Sequence, residues 1–301
     1  MLKNDKHGIK PYKYNSYLVM YNPAKSKLHP TIFMLMKDKL AVQMFTLRDF
    51  TNTWNELATT LQKVSTMGYP AIQLSAVGCM NGEAPEASAV KAKQMMDDHN
   101  LQCIATHRSW DNLKERLDEE IAFHKTLDCD YCAIGTIPAA HYPATYDGYR
   151  RWLEDAQPII EGLKAEGIRF GHHNHSREFC KPERHGKMLE DILIDEGGND
   201  LMMELDLYWI AHAGVNCERI LDRCHGRVPV IHLKDIEPYP DKNEYMIAAV
   251  GEGAIEWEHI IPACERAGVD WYVMEQDICP RDPFDCLKSS MDYMLSRDWK
   301  S

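Results

Sequence analysis

Four side chains able to hold a divalent cation share one setting in this sequence. His173 lies in Gly171-His-His-Asn-His175, Asp206 ends Met203-Glu-Leu-Asp206, His232 lies in Val230-Ile-His-Leu-Lys-Asp235, and Glu275 lies in Val273-Met-Glu-Gln-Asp277. Each sits at the end of a short apolar run that reads as a β-strand. Imidazole and carboxylate donors together suit Mn²⁺, Zn²⁺, Co²⁺ or Fe²⁺ better than Ca²⁺, which takes all-oxygen cages. Mn²⁺ is the first expectation, with Mg²⁺ also open. The competing reading pairs Asp206 and Glu275 with lysine or arginine, since an unpaired carboxylate buried at such a place costs several kcal/mol. Alternate residues of a strand share a face. His175 therefore accompanies His173, Glu204 lies one layer below Asp206, Lys234 follows His232, and Asp277 follows Glu275.

Residues this far apart in sequence can meet only if their strand ends converge. Strands are expected at 40–45, 70–75, 102–106, 131–135, 168–174, 201–206, 228–233 and 270–275. Amphipathic helical stretches fall at 53–67, 111–127, 146–165, 184–196, 211–224, 256–267 and 282–296. Leu57, Leu61 and Val64 mark the buried face of the first, and Thr53 with Glu56 resembles a capping box. Gly68, Gly167 and Gly268 each follow a helix, where a left-handed residue turns the chain. This alternation favours an α/β fold, a (β/α)₈ TIM barrel, whose strand C-termini gather at one mouth. An open doubly wound sheet would carry a glycine-rich turn after its first strand, and Phe45-Thr-Leu-Arg-Asp-Phe50 has none. The expected division is an N-terminal extension over 1–37, with seven lysines and no periodicity, and a catalytic barrel over 38–301. The longest connection, 235–255, is expected to be functional or mobile.

With 34 basic and 46 acidic residues the net charge is −12, which speaks against a grip on nucleic-acid phosphates. No apolar run reaches the ~18 residues of a membrane span. The ten cysteines are scattered, and Cys129 with Cys132 forms a lone pair at C-x-x-C spacing, read as structural. The cytoplasm is the expected compartment, and a second copy of the chain or a small partner subunit is left open.

From residue 39 to 298 the chain resembles the sugar phosphate isomerase/epimerase group of xylose-isomerase-like TIM barrels, which includes inosose dehydratase, hydroxypyruvate isomerase and D-tagatose 3-epimerase. The resemblance rests on Val42-Gln-Met-Phe-Thr-Leu-Arg-Asp49, His172-His-Asn-His-x-x-Glu-Phe179, Leu205-Asp206 with Tyr208-Trp209, His232-Leu-Lys-Asp235, Gly251-Glu-Gly-x-Ile-Glu-Trp257 and Glu275. It implies a metal bound by Glu, Asp, His and Glu from strands five to eight. Asp206, His232 and Glu275 match that set. Strand five departs from it: either His173 replaces the glutamate, which we favour, or the turn returns Glu178 to the metal.

The implied reaction is proton transfer next to a carbonyl, through an enediolate that a metal-dependent sugar isomerase or epimerase would stabilise. Glu275 and His175 are the candidate bases, with Glu178 and Lys234 as further catalytic candidates. His107, Trp209, Glu252 and Arg177 are the expected substrate contacts, and the substrate is a small sugar or keto-sugar. The alternative is a lyase or dehydratase acting on a keto-sugar, an inosose or a 3-keto-glycoside, as C-glycoside-cleaving subunits do. A third reading is a non-catalytic barrel serving as a subunit in a complex. Zinc endonucleases share the fold, but their basic face has no counterpart in this acidic chain.

Overall fold

The computed structural model describes residues 36–82, 84–183, 186–239 and 244–299. The expected extension over 1–37 therefore lies outside the described residues, save Met36 and Lys37. In chain order the strands are β1 (Leu40–Gln43), β2 (Ala71–Leu74), β3 (Gln102–His107), β4 (Tyr131–Ile134), β5 (Arg169–His173), β6 (Leu201–Asp206), β7 (Val230–Leu233), β8 (Asp235–Tyr239), β9 (Glu244–Ala248) and β10 (Trp271–Met274). Eight of them pair in parallel and close a barrel in the order β1-β10-β7-β6-β5-β4-β3-β2. The expected (β/α)₈ barrel is thus the observed fold, and all eight barrel strands fall where the sequence placed them.

The helices are α1 (Trp54–Met67), α2 (Ala89–Asp98), α3 (Trp110–Glu115), α4 (Leu117–Leu127), α5 (Tyr146–Ala165), α6 (Leu189–Glu196), α7 (Leu207–His212), α8 (Cys217–Arg223), α9 (Trp257–Ala267) and α10 (Pro283–Ser296). Thr53 and Glu56 form the expected capping box on α1, with Glu56 N–H to Thr53 Oγ1 at 3.2 Å and Thr53 N–H to Glu56 Oε2 at 3.0 Å. Gly68, Gly167 and Gly268 have φ of +103°, +78° and +83°, as their places after helices require. Three expectations change. Helix α2 was not foreseen. The stretch 111–127 divides at Arg116, whose φ of −139° breaks the helix. The stretch 211–224 becomes α7 and α8, parted by Gly214 at φ +72°. No described helix is long and apolar enough to cross a membrane.

Period-two alternation explains where chemistry is possible. Ala41, Ala71, Ala105, Tyr131, Ala133, Val230 and Val273 form one buried cluster inside the barrel. The Tyr131 ring fills so much of that space that a Cβ on Gly171 would lie 2.0 Å from its hydroxyl oxygen, so β5 needs glycine there. Two residues further along each strand the apolar filling gives way to Gln43, Gln73, His107, His173, Glu204, His232 and Glu275, nearly all of them buried. This polar layer caps the core at the C-terminal ends of the strands.

The long connection 235–255 holds the antiparallel hairpin β8–β9 rather than an open loop. Asp235, fully buried, secures its base. Its carboxylate accepts the N–H groups of Ile236, Gly251 and Ile255 at 2.9, 2.8 and 3.1 Å and Trp257 Nε1–H at 2.8 Å. A Cβ on Gly253 would lie 2.3 Å from that carboxylate, which accounts for a glycine in the turn after Glu252. Cys129 and Cys132 are both buried and unbridged, and Cys129 Sγ donates to Tyr131 O at 3.3 Å, as a structural pair would.

Candidate metal centre

Strand register brings the expected residues together. His173 is the neighbour of Glu204 across β5–β6, and Asp206 is the neighbour of His232 across β6–β7. Donor atoms of His173, Asp206, His232 and Glu275 all lie within 4.8 Å of one another, and all four residues are buried. A second group, His107, His173, Glu204 and His232, meets the same limit one layer deeper. Asn174, on the opposite face of β5, locks the two strand ends: its Oδ1 accepts Asp206 N–H at 3.0 Å and its Nδ2 donates to Asp206 O at 3.3 Å.

The residues fit a divalent cation. His173 Nδ1 is buried and makes no hydrogen bond, and the buried Asp206 Oδ2 has the Lys234 ammonium 2.9 Å away as its partner. Burial, reinforced by the neighbouring His232, holds His173 well below the usual imidazole range, so it keeps a free lone pair. Burial likewise pushes the Asp206 carboxyl up to about 6, against the pull of Lys234. His232 goes the other way: burial disfavours its charge, but the Glu275 and Glu204 carboxylates outweigh it and raise the imidazole to about 10. An arriving cation must displace that proton.

The competing lysine is also present. Lys234, fully buried, sets its ammonium 2.9 Å from Asp206 Oδ2, 2.8 Å from Glu275 Oε2 and 2.7 Å from Asp277 Oδ2. These carboxylates hold it charged, against burial.

The two strand-five candidates stand in different places. His173 is in both ligand groups, and Glu178 is in neither. Glu178 Oε1 accepts Tyr149 Oη–H at 2.8 Å and Arg177 Nε–H at 2.7 Å, while Oε2 accepts the backbone N–H of His175 at 2.8 Å. It thus sets the backbone from which His175 projects and does not face the cation donors. Arg177 is held by Glu178, Thr136 and the carbonyl of Ile137. Glu252 turns away from the centre, toward Arg281 just before α10, which donates to it at 2.8 and 2.6 Å, and Ser289 on α10, which donates at 2.5 Å. His107, expected as a contact to substrate, instead joins the deeper group through a hydrogen bond to Glu204. His175 stands beside the centre, its ring 5.0 Å from His173 and 5.5 Å from Trp209. Burial lowers its pKa, and its Nδ1 has no partner. Sequence reasoning missed Gln73 and the part played by Glu204. Their signal was a lone polar residue inside an apolar strand.

Behind β5, His172 packs 5.7 Å from the Trp152 ring with neither nitrogen partnered. Burial lowers it from 6.5 to about 4. The unfolded chain therefore takes up the proton first. The stability that a neutral His172 secures is complete above about pH 6.5 and is lost as pH falls to about 4, by up to about 3 kcal/mol. In EDTA, the urea midpoint of His172→Phe is expected to fall less across that range than that of the wild type, the remaining decline coming from His173 and His175, which burial also lowers. Parallel decline in both proteins would assign the acid limb to other groups.

The sequence profile of the xylose isomerase-like TIM-barrel family matches residues 61–296. The chain belongs to that family. Solved structures of the same fold include a sugar phosphate isomerase/epimerase from Parabacteroides distasonis, 20% identical, with a TM-score of 0.70 over 87% of this chain and 95% of that one. A probable 3-DHS dehydratase from Bacillus anthracis is 13% identical, with a TM-score of 0.66 over 86% of this chain and 100% of that one. The IOLI protein, solved with a bound zinc atom, is 15% identical, with a TM-score of 0.64 over 86% of this chain and 98% of that one. No curated protein matches the sequence. The solved structures that share the fold include both an isomerase/epimerase and a probable dehydratase, so the reaction must be argued from the site.

Proposed function

We propose that this protein is a divalent-metal-dependent enzyme that moves a proton next to the carbonyl of a sugar, as an isomerase or epimerase. The observation that carries the reading is the group of His173, Asp206, His232 and Glu275, four buried donors from four strand ends within 4.8 Å. A cation held there, Mn²⁺ by our choice, would polarise a substrate carbonyl and its neighbouring hydroxyl. The chain's own groups move the proton. His175 is the base: it is kept neutral by burial, and its Nδ1 is unengaged beside the centre. Glu275 is hydrogen-bonded by His232 at 2.7 Å and paired with Lys234, which keeps it ionised and weakens it as a base. Lys234 stays charged and serves as a donor to a developing oxyanion rather than as a base. Trp209, beside both His175 and the Lys234 ammonium, offers a flat wall to one face of the sugar. Ten unbridged cysteines agree with a reducing compartment, and we place the protein in the cytoplasm.

A lyase acting on a keto-sugar is the second reading. It is favoured by β5 bringing imidazoles, not a second carboxylate, to the centre, which makes the proton-moving groups chemically unequal. The test is incubation of the Mn²⁺-loaded protein in D₂O with ketoses, inososes and 3-keto-glycosides. Deuterium is expected at the carbon beside the carbonyl. Release of an aglycone from a keto-glycoside, with no ketose exchanging, replaces the isomerase by the lyase. No reaction with any of them favours the non-catalytic subunit.

A further inference from the structure

Each histidine at the centre presents one nitrogen to each of two carboxylate layers. His173 Nδ1 lies 3.5 Å from Glu204 Oε1, and its Nε2 lies 3.8 Å from Asp206 Oδ2. His232 Nε2 lies 3.1 Å from the same Glu204 oxygen, while its Nδ1 lies 2.7 Å from Glu275 Oε2 and 4.0 Å from Asp206 Oδ2. A neutral imidazole has one N–H and one lone pair, so it cannot ligate from both sides at once. The deeper group (His107, His173, Glu204, His232) and the outer group (His173, Asp206, His232, Glu275) share both imidazoles. A cation in one group leaves the opposite nitrogens as donors.

The hydrogen bonds below the centre decide between them. Ionised Glu204 can only accept, so the Gln73 atom 3.1 Å from both its oxygens is the amide nitrogen. That orientation turns Gln73 Oε1 toward His232 Nε2 at 2.7 Å. A carbonyl oxygen can only accept, so His232 must carry a proton on Nε2. Nδ1 donates to the Glu275 carboxylate at 2.7 Å, so the proton a cation displaces is the one on Nδ1, and the lone pair it frees faces the outer carboxylates. His107 supports Glu204 from β3. On the far side, the unpartnered Nδ1 of His173 faces the same carboxylate, which leaves its Nε2 for Asp206's side.

We propose that Glu204 is the positioning carboxylate of this centre. Acting directly on His173 and through Gln73 on His232, it selects their tautomers, so that one cation is held in the outer group by His173 Nε2 and His232 Nδ1. This rests on the reading of the outer group as the metal centre and names the residue that sets its ligand geometry. Groups that hydrogen-bond to metal-ligating histidines commonly work in this way, and their loss weakens binding by about 10–100-fold.

The experiment uses the full chain, with Co²⁺ and Zn²⁺ as probes. Calorimetric titration is expected to give one Co²⁺ site in the wild type, the same stoichiometry at about 10–100-fold lower affinity in Glu204→Gln, and no site in Asp206→Asn. Gln73→Leu should weaken binding similarly, and the double variant should be no weaker than the poorer single one, because both act through one chain of bonds. Glu204 is buried, so its variant could fold poorly. For that reason ¹⁵N-histidine NMR of the Zn²⁺-loaded wild type supplies a second readout, expected to show His232 protonated at Nε2 and metal-bound at Nδ1. Wild-type affinity in Glu204→Gln, or a cation kept by Asp206→Asn and lost by Glu204→Gln, overturns the proposal, as does the opposite His232 tautomer. A wild type that binds neither cation sinks the reading of the centre itself.

Discussion

Asp206→Asn is expected to weaken binding of Mn²⁺ by more than the roughly 10–100-fold that outer-shell changes cost, and to abolish solvent-proton exchange with it. The fold should survive. Asp206 Oδ1 caps α7 by accepting Trp209 N–H at 3.1 Å, and asparagine caps helices about as well as aspartate. Its other links to β5 run through its backbone to Asn174 and are untouched. A carboxyl raised to about 6 by burial destabilises the folded state above that pH, because the unfolded chain ionises it more easily. The metal-free variant should therefore melt at or above the wild-type temperature near neutral pH. Added cation should stabilise only the wild type, by about 4 kcal/mol at a thousandfold excess over its Kd. Differential scanning calorimetry with EDTA and with Mn²⁺ separates these effects. Equal metal-induced shifts in the two proteins would remove Asp206 from the centre.

That the centre could be located from sequence follows from the geometry of a barrel. A strand places every second side chain on one face, and a parallel barrel brings all strand C-termini to one end. Apolar runs stopping at His173, Asp206, His232 and Glu275 were enough to place four candidate ligands without any contact being known. The deeper layer was less legible for a physical reason. Spacing says which face a residue occupies, but not which of several polar groups on that face meet across the axis. Gln73 touching His232, or His107 meeting Glu204, depends on barrel closure and strand stagger. Glu252 misled because its flanking glycines suggested a mobile loop over substrate. They serve instead to let the chain wrap closely around Asp235 and against Tyr293, leaving Glu252 to Arg281. Helix α2 was missed although Ser88 caps it through Lys91 N–H, since its buried face is only Ala92, Met95 and Met96. The break at Arg116 left no trace, because arginine is a good helix former and tertiary packing overrode it.

Lys234→Met tests how the chain keeps this centre folded without a cation. The ammonium is fully buried and lies within 2.9 Å of three carboxylate oxygens, two of them on proposed ligands. Removing one partner of a buried ionic group leaves uncompensated charge and costs about 3–5 kcal/mol. Methionine nearly fills the space, so little of that loss should come from a cavity. In EDTA the variant is therefore expected to lose about 3–5 kcal/mol in urea unfolding. A divalent cation in the outer group would neutralise the same Asp206 and Glu275, so saturating Mn²⁺ should recover most of the loss. By linkage the variant must then bind Mn²⁺ more tightly than the wild type, by the factor that the recovered stability represents. Tighter binding combined with loss of turnover would assign Lys234 both parts: neutralising the empty centre and donating to the substrate oxygen once the cation is in place. An equal stability loss with and without Mn²⁺ would show that lysine and cation do not share these carboxylates.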